Sequence, residues 1–486
     1  MADIKKNLIY STILTMSTYL VPLIVFPYIS RVLGVENIGM IDTVDNMIDY
    51  CILFSMMGLS AVGIREIAKN KDDKEKLSKT FTDLFALNFY TTLLIAAIFL
   101  IVVGLSPQLQ SFKMLIPIGI LKLFATLFWV EWLYTGLEEF KYITIRSIIL
   151  RTLFIISVFL FVHTKADATV YYALFAGITV GNAICNWYHK RTYLHWNLRK
   201  ANIRHYLIPF FMLGIFAMLS AIYTKLSLPI LSFIADNEEA GNYATATRVY
   251  QLIIALITTL TGVMIPRMSV LVKEGKTELI HDYTQKSFKF LFLFSLPLIC
   301  FVEIFSPDII FLFAGEGFDG AIKLMRIIMV QLIIIGSAKI IVQQLLIPMR
   351  KDRAIVKAGI AGVIVWGVLT AILVPRFNGI GTSIVWIFTE LTVLLIALAE
   401  VKRSFSISFP LSLFTKACIA AIPYFIIGFS IQFFIQYPIP RIISSSFLFL
   451  IYAAVLDFYF YKTGILKSLS NYFMHLSDNK ENRRYE

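Results

Sequence analysis

The chain has 486 residues, of which 58% are hydrophobic and only 15% charged. A soluble chain is nearer half apolar and a quarter charged. Disorder is excluded as well, since 41 Phe and 23 Tyr sit among the aliphatic residues. With a mean hydropathy of +0.76, what remains is a membrane-embedded protein.

Apolar stretches of about 20 residues, the length that crosses a hydrocarbon core, recur from end to end. In chain order they are 8–30, 39–64, 80–104, 114–134, 147–163, 169–187, 207–235, 243–265, 290–306, 327–347, 358–374, 380–399, 417–436 and 442–461. This predicts an all-α membrane protein of about 14 transmembrane helices. The run after Lys5 and Lys6 is too long for the core of a signal peptide and is read as a retained span.

Lys and Arg set the orientation. With the N-terminus inside, about 32 basic residues fall on inner segments and about 7 on outer ones, including Arg31, Arg376 and Arg441. Both termini are therefore expected in the cytoplasm. The net charge of +13 then reflects topology and contact with anionic lipid, and not a nucleic-acid partner. Cys51, Cys185, Cys300 and Cys418 stand singly in apolar stretches and read as small buried hydrophobes. No metal or other cofactor is expected. Gly275-Lys276-Thr277 lacks the leading glycine of a phosphate-binding loop, which would fall on Val270. Energy for transport must come from an ion gradient, the substrate's own gradient or a partner.

An offset of 202 residues aligns the first two spans with the seventh and eighth. Pro27 falls on Pro229, Ser30 on Ser232, Glu36 on Glu238, Gly39 on Gly241, Thr43 on Thr245, Arg65 on Arg267 and Lys74 on Lys276. Both segments run inside–outside–inside, so the repeat is parallel. It predicts two six-helix lobes, about 1–200 and 201–400, related by a pseudo-two-fold along the membrane normal. Two further helices and a basic tail (401–486) follow. Without an extramembrane domain, binding must take place within the membrane.

Charges inside spans are costly and mark function. Asp42, Asp45 and Asp49 lie on one face of the second span, with Asn46 between them. They read as a wet stripe for a proton or Na⁺, or as partners of basic groups; for Asp42 a longer outer loop is an open alternative. Arg248 falls on Asn46 by the repeat. It either binds phosphate oxygens or locks to Asp45 or Asp49. Lys225 and Lys339 are placed in the cavity, whereas Lys122 and Arg151 are expected to snorkel. Arg31, Arg65 and Arg267 stand at span ends, where they set topology and can form a basic rim. Trp129, Trp132 and Trp187 read as interfacial anchors. Pro22, Pro27 and Pro229 permit bending of the first and seventh spans.

Three blocks carry a family resemblance. The first is the run Phe26–Gly34, then Gly39, then Gly58-Leu59 and Gly63–Ala68. The second is Trp132–Arg146, and the third is Gly241–Ala246, where Ala244-Thr245 replaces the family's usual Ser-Ala pair. The chain resembles the Wzx-type polysaccharide flippases of the multidrug/oligosaccharidyl-lipid/polysaccharide exporter superfamily. The resemblance implies a transporter and not an enzyme. Its substrate would be an undecaprenyl-pyrophosphate-linked oligosaccharide, moved from the inner to the outer leaflet of the bacterial plasma membrane by gradient-coupled alternating access. O-antigen, capsule and exopolysaccharide pathways all use such proteins, alongside polymerase and chain-length proteins as further partners. A multidrug cation antiporter of the same superfamily is the competing transport reading, although Arg248 and Lys225 oppose a cationic cargo. A membrane glycosyltransferase or polymerase would need a sizeable outer loop or domain, and none is visible.

Overall fold

Inside hydrocarbon no water satisfies a backbone amide, so a spanning chain must close its hydrogen bonds within helices or a closed barrel. The computed structural model describes residues 2–194, 202–405 and 407–461, and it takes the helical solution throughout, with no strand among the described residues. The helices are α1 (Ala2–Met56), α2 (Leu59–Asn70), α3 (Lys74–Leu105), α4 (Ile116–Trp129), α5 (Glu131–Gly136), α6 (Phe140–Phe161), α7 (Ala168–His189), α8 (Arg204–Ile234), α9 (Asn237–Val263), α10 (Ile265–Lys273), α11 (Thr277–Phe313), α12 (Asp319–Met329), α13 (Gln331–Lys339), α14 (Asp352–Phe405), α15 (Leu411–Phe434) and α16 (Pro438–Leu456). Between α13 and α14 the chain widens into a π-helical segment, Ile340–Leu346.

Nine helices among the described residues are long and apolar enough to cross a membrane, or ten when the bent pair α12–α13 is one span. The spans read as 8–30 and 39–64 lie in one run, α1, which passes through Pro22 and Pro27 and breaks only at Gly34 (φ 78°, ψ 169°). That conformation is open to glycine and strained for residues with a Cβ. The second of these spans stops earlier than expected. The helix ends at Met56, and residues 59–70 form the separate amphipathic helix α2, so Arg65 lies outside the span. The spans read as 358–374 and 380–399 likewise share α14, interrupted at Asn378 (φ 46°).

The helix pattern follows the 202-residue offset beyond the two spans that revealed it. Gly34 falls on Asp236, in the gap between α8 and α9. The amphipathic helix α2 corresponds to α10, α3 to α11 and α4 to α12. Two glycines give the repeat a physical meaning. A Cβ on Gly39 would overlap the Asn237 carbonyl, and one on Gly241 would overlap the Val35 carbonyl. The offset carries the first contact into the second, since 39 becomes 241 and 35 becomes 237. Reciprocal contacts of this kind are the signature of a local two-fold axis, here between the two helix starts.

The described residues form two compact units. One comprises the chain up to Thr245 with Phe313–Gly320 and Thr370–Thr382; the other comprises the remaining described residues. In the first unit α8 lies along α1, and α4 packs on α7. The core near α2 is aromatic. Trp132, 3% exposed, stacks on Phe81 with centroids 5.5 Å apart, and Trp187 packs on Phe85 and Phe128. Trp129 donates from Nε1 to Glu131. Trp132 is therefore a core group, and Trp129 and Trp187 are half-buried beside it. In the second unit Arg441 of α16 holds Asp308 of α11 through two contacts of 2.9 Å. Large apolar side chains cover the outside, such as Ile149, Leu153 and Ile156 of α6, which is the surface a lipid-solvated protein presents.

Gly39→Ala and Gly241→Ala are each expected to destabilise the protein by about 1–3 kcal/mol through overpacking, read as a lower melting temperature in detergent. Gly177→Ala, whose Cβ would meet nothing within 4 Å, should be neutral or slightly stabilising. Equal melting temperatures for all three variants would remove the close approach from the account.

Candidate functional site

The site starts from the spacing of the acidic residues on α1. Residues three and four apart share a helical face, so Asp42, Asp45 and Asp49 form one stripe. Asn46 donates to the Asp42 carbonyl at 2.8 Å and stays within the helix. Opposite the stripe α4 comes unusually near. A Cβ on Gly119 would lie 2.5 Å from Ile48 Cγ1 and 3.1 Å from the Tyr172 hydroxyl. Lys122 is one turn beyond this glycine on the same face.

Lys122 consequently reaches both carboxylates. Its Nζ donates to Asp45 Oδ1 at 2.6 Å and to Asp49 Oδ1 at 2.9 Å, and it lies 5.3 Å from the centroid of the Phe175 ring on α7. Lys225, from α8, donates to Asp49 Oδ2 at 2.7 Å. Two lysines and two aspartates thus form a formally neutral cluster drawn from three helices. Asp42, 9% exposed, completes the stripe. The snorkelling expected of Lys122 is corrected: the buried ammonium is held by two half-buried carboxylates and does not reach for the interface. Arg151 does not snorkel either; it donates to the Leu14 carbonyl, Ser17 Oγ and Thr18 Oγ1, which fastens α6 to α1. The partners of Asp45 and Asp49 are lysines of the same unit.

The other basic candidates are dispersed. Arg31 bonds the Pro27 carbonyl at 2.5 Å and its aliphatic stem covers Gly315. Arg65 pairs with Glu66 at 2.8 Å on α2. Burial pushes the Glu66 carboxyl up, but its bonds to Lys69 and Arg65 outweigh that and hold it below its ordinary value. In the second unit Arg267 on α10 lies 5.7 Å from the Tyr283 ring. Lys339 ends α13, and α10 packs on the π-helical segment that follows it. Arg248 is half-buried on α9. Two residues along the chain, Tyr250 meets Trp386 of α14 edge-on at 5.4 Å, and Glu390, 8% exposed, lies one turn beyond Trp386. The structure therefore brings together Asp45, Asp49 and Lys225 of the sequence candidates and adds Lys122.

A second polar knot was not legible from the sequence. Val130 adopts a left-handed conformation (φ 34°) between α4 and α5, which leaves the Trp129 carbonyl without its helical partner. The Asn186 amide supplies a donor to it. Arg146 donates to Asn186 Oδ1 and, at 3.0 Å, to Glu131 Oε2. Every member holds a helix end or another member, so the knot is structural. No group of three or more His, Cys, Asp or Glu among the described residues is placed to hold a metal ion.

Lys122→Met should destabilise the protein by about 2–3 kcal/mol, somewhat less than for a fully buried pair, because it strands Asp45 and leaves Asp49 with Lys225 alone. Adding Asp45→Asn and Asp49→Asn should recover most of the loss. A Lys122→Met protein that melts with the wild type would show that the cluster is not held by this ion pair.

The family model described as "Polysaccharide biosynthesis protein" matches residues 4–272. A protein of Escherichia coli (strain K12) named "Putative O-antigen transporter" is 26% identical over 83% of this chain and 97% of its own length. A protein of the same name from Shigella dysenteriae is 23% identical over 82% of this chain and its full length. Among solved structures, lipid II flippase MurJ in an inward closed conformation superposes with a TM-score of 0.76, 15% identity, and coverage of 93% of this chain and 99% of that one. An inward-facing multidrug resistance MATE family transporter of the MOP superfamily gives 0.61 at 14% identity, covering 80% and 98%. These two share the fold with this chain. The family expected from the blocks at Phe26–Gly34, Trp132–Arg146 and Gly241–Ala246 is the one found. Matched over more than half of its length, the chain belongs to the polysaccharide biosynthesis protein family.

Proposed function

We propose that this protein is a flippase that carries an undecaprenyl-pyrophosphate-linked oligosaccharide from the inner to the outer leaflet of the bacterial plasma membrane. The observation that carries this reading is a double one on a single chain. Relatives named as O-antigen transporters match it along almost their whole length, and its fold is that of a lipid II flippase. The work is transport and not catalysis. The two sequence lobes, 1–200 and 201–400, alternate access around the substrate while 401–486 forms an appendage. Both termini lie in the cytoplasm.

The roles divide by charge. Arg248, Lys225 and Lys339 receive the pyrophosphate, with Arg31, Arg65 and Arg267 as a basic rim, because guanidinium and ammonium groups bind phosphate oxygens through charge-assisted hydrogen bonds. Asp42, Asp45 and Asp49 couple the cycle to a proton or Na⁺ gradient. Polymerase and chain-length proteins of the same pathway are the expected partners. The multidrug-antiporter reading draws on the acidic stripe and on the shared fold. It is disfavoured by Lys122 and Lys225, whose ammonium groups stand against Asp45 and Asp49 and oppose a bulky cationic drug there.

The test uses a strain that lacks its own flippase and is complemented with this chain and its pathway. Arg248→Ala should lower surface polysaccharide by about ten- to a hundredfold, as expected for loss of a charged hydrogen bond of ~1.5–3 kcal/mol, at an unchanged protein level. Arg248→Lys should restore part of it. Wild-type surface polysaccharide in the alanine variant would remove Arg248 from the substrate path.

A further inference from the structure

The two lysines of the cluster are not equivalent. Lys122 bridges Asp45 and Asp49, with a side chain only 10% exposed. Lys225 touches Asp49 alone and its side chain is 42% exposed. Asp49 is intermediate: its Oδ1 faces Lys122 and its Oδ2 faces Lys225. Beside them lie Asp42 on α1 and, from α7, the Phe175 ring beneath Lys122 and Tyr172, whose hydroxyl lies beside Gly119. If Lys225 is drawn away, Lys122 still holds both carboxylates. If Lys122 is removed, Asp45 loses the lysine it touches.

We propose that Asp49 is an intramolecular stand-in for the substrate's phosphate: it occupies Lys225 in the empty carrier and is displaced from it when a pyrophosphate group binds. This rests on the flippase reading above and adds a role for Asp49 distinct from ion coupling. A carboxylate and a phosphate oxygen present the same acceptor to an ammonium group, so the two compete for one cation. Competition lowers substrate affinity, because binding must first break the contact at 2.7 Å. In return, Lys225 is never left as an uncompensated charge within the membrane, where such a charge is costly. The empty carrier can reset with the cluster neutral, and the bound carrier offers Lys225 to the ligand.

Competition has a sign that a structural ion pair lacks. The experiment measures binding of farnesyl pyrophosphate, and of inorganic pyrophosphate as headgroup alone, to the full chain in nanodiscs by calorimetry. Asp49→Asn should tighten binding of both probes by about 5–50-fold, within the usual range of coupling between sites, and Lys225→Gln should weaken it by a similar factor. Asp45→Asn removes the same charge but leaves Lys225 on Asp49, so it should change affinity less than threefold, below that coupling range. In the Lys225→Gln background, Asp49→Asn should have no further effect, since the double-mutant cycle then has nothing to couple. Lys225→Arg should retain binding. Export in cells should fall in Asp49→Asn despite the tighter binding, because the reset is slowed.

Unchanged or weaker probe binding in Asp49→Asn would overturn the stand-in role, as would equal tightening by Asp45→Asn. If neither the wild type nor Asp49→Asn binds either probe, the pyrophosphate reading itself falls, and this role with it. If the probes bind but Asp49→Asn does not tighten them, only the role assigned to Asp49 is lost.

Discussion

A charge inside hydrocarbon must be paired, hydrated or absent. This constraint organises the molecule more than any single contact. It confines most basic residues to loops and amphipathic helices, and it forces the charges within the spans into defined partnerships. Asp45 and Asp49 cannot remain ionised alone, and Lys122 cannot remain charged among apolar neighbours. Each solves the other's problem at 2.6–2.9 Å. Arg441 with Asp308, and Arg146 with Glu131, repeat the solution elsewhere. Pairs of this kind add little net stability, because desolvation offsets their attraction, but losing one member is expensive. They therefore fix which helices are neighbours more than they raise the free energy of unfolding.

The sequence blocks that identify the family turn out to be places where helices touch. Gly63 of the first block faces Trp132 of the second: a Cβ there would lie 2.7 Å from the indole. Gly136 of the second block accommodates Ile67 of the first. Gly241 of the third block meets Val35, next to the first block's Gly34. Even Arg146, the last residue of the second block, is consumed by the knot that caps α4. Blocks one and two thus join α2 to α5, and blocks one and three join the two repeats. They specify the scaffold. Substrate chemistry has to be sought in residues that stand outside them, such as Asp49, Lys122 and Lys225.

Much of the fold was legible because the hydrocarbon permits so few solutions. Apolar runs of the right length mark helices, and a parallel offset marks the repeat. Breaks were less legible. Gly34 sits within a long apolar run, and its left-handed conformation has no signature beyond being glycine. The end of α1 at Met56 was hidden because residues 59–64 are apolar and continue the hydropathy of the span; α2 reveals itself only by amphipathicity. The acidic stripe was visible from spacing, but its partners were not, since sequence says which charges exist and not which helices meet. Gly119 was the available clue to Lys122. A small residue one turn before a buried cation marks a close crossing, and three acids on one face call for cations of similar number.

The repeat shows where the scaffold has been put to use. Under the offset that superimposes the helices, Asp45 falls on Thr247, Asp49 on Gln251, Lys122 on Leu324 and Lys225 on Leu23. Every charge of the cluster has a neutral counterpart, and Leu324 is buried as an ordinary core residue. In the other direction Arg248 falls on Asn46. The helices and their breaks have kept the symmetry, as have the glycines at their crossing, because the packing on each side depends on the other. The charges have abandoned it. A symmetric scaffold offers equivalent positions in both repeats, and each charge of the cluster occupies only one member of its pair. Asp45, Asp49 and Lys122 on one repeat, with Lys225 and Arg248 on the other, are that difference.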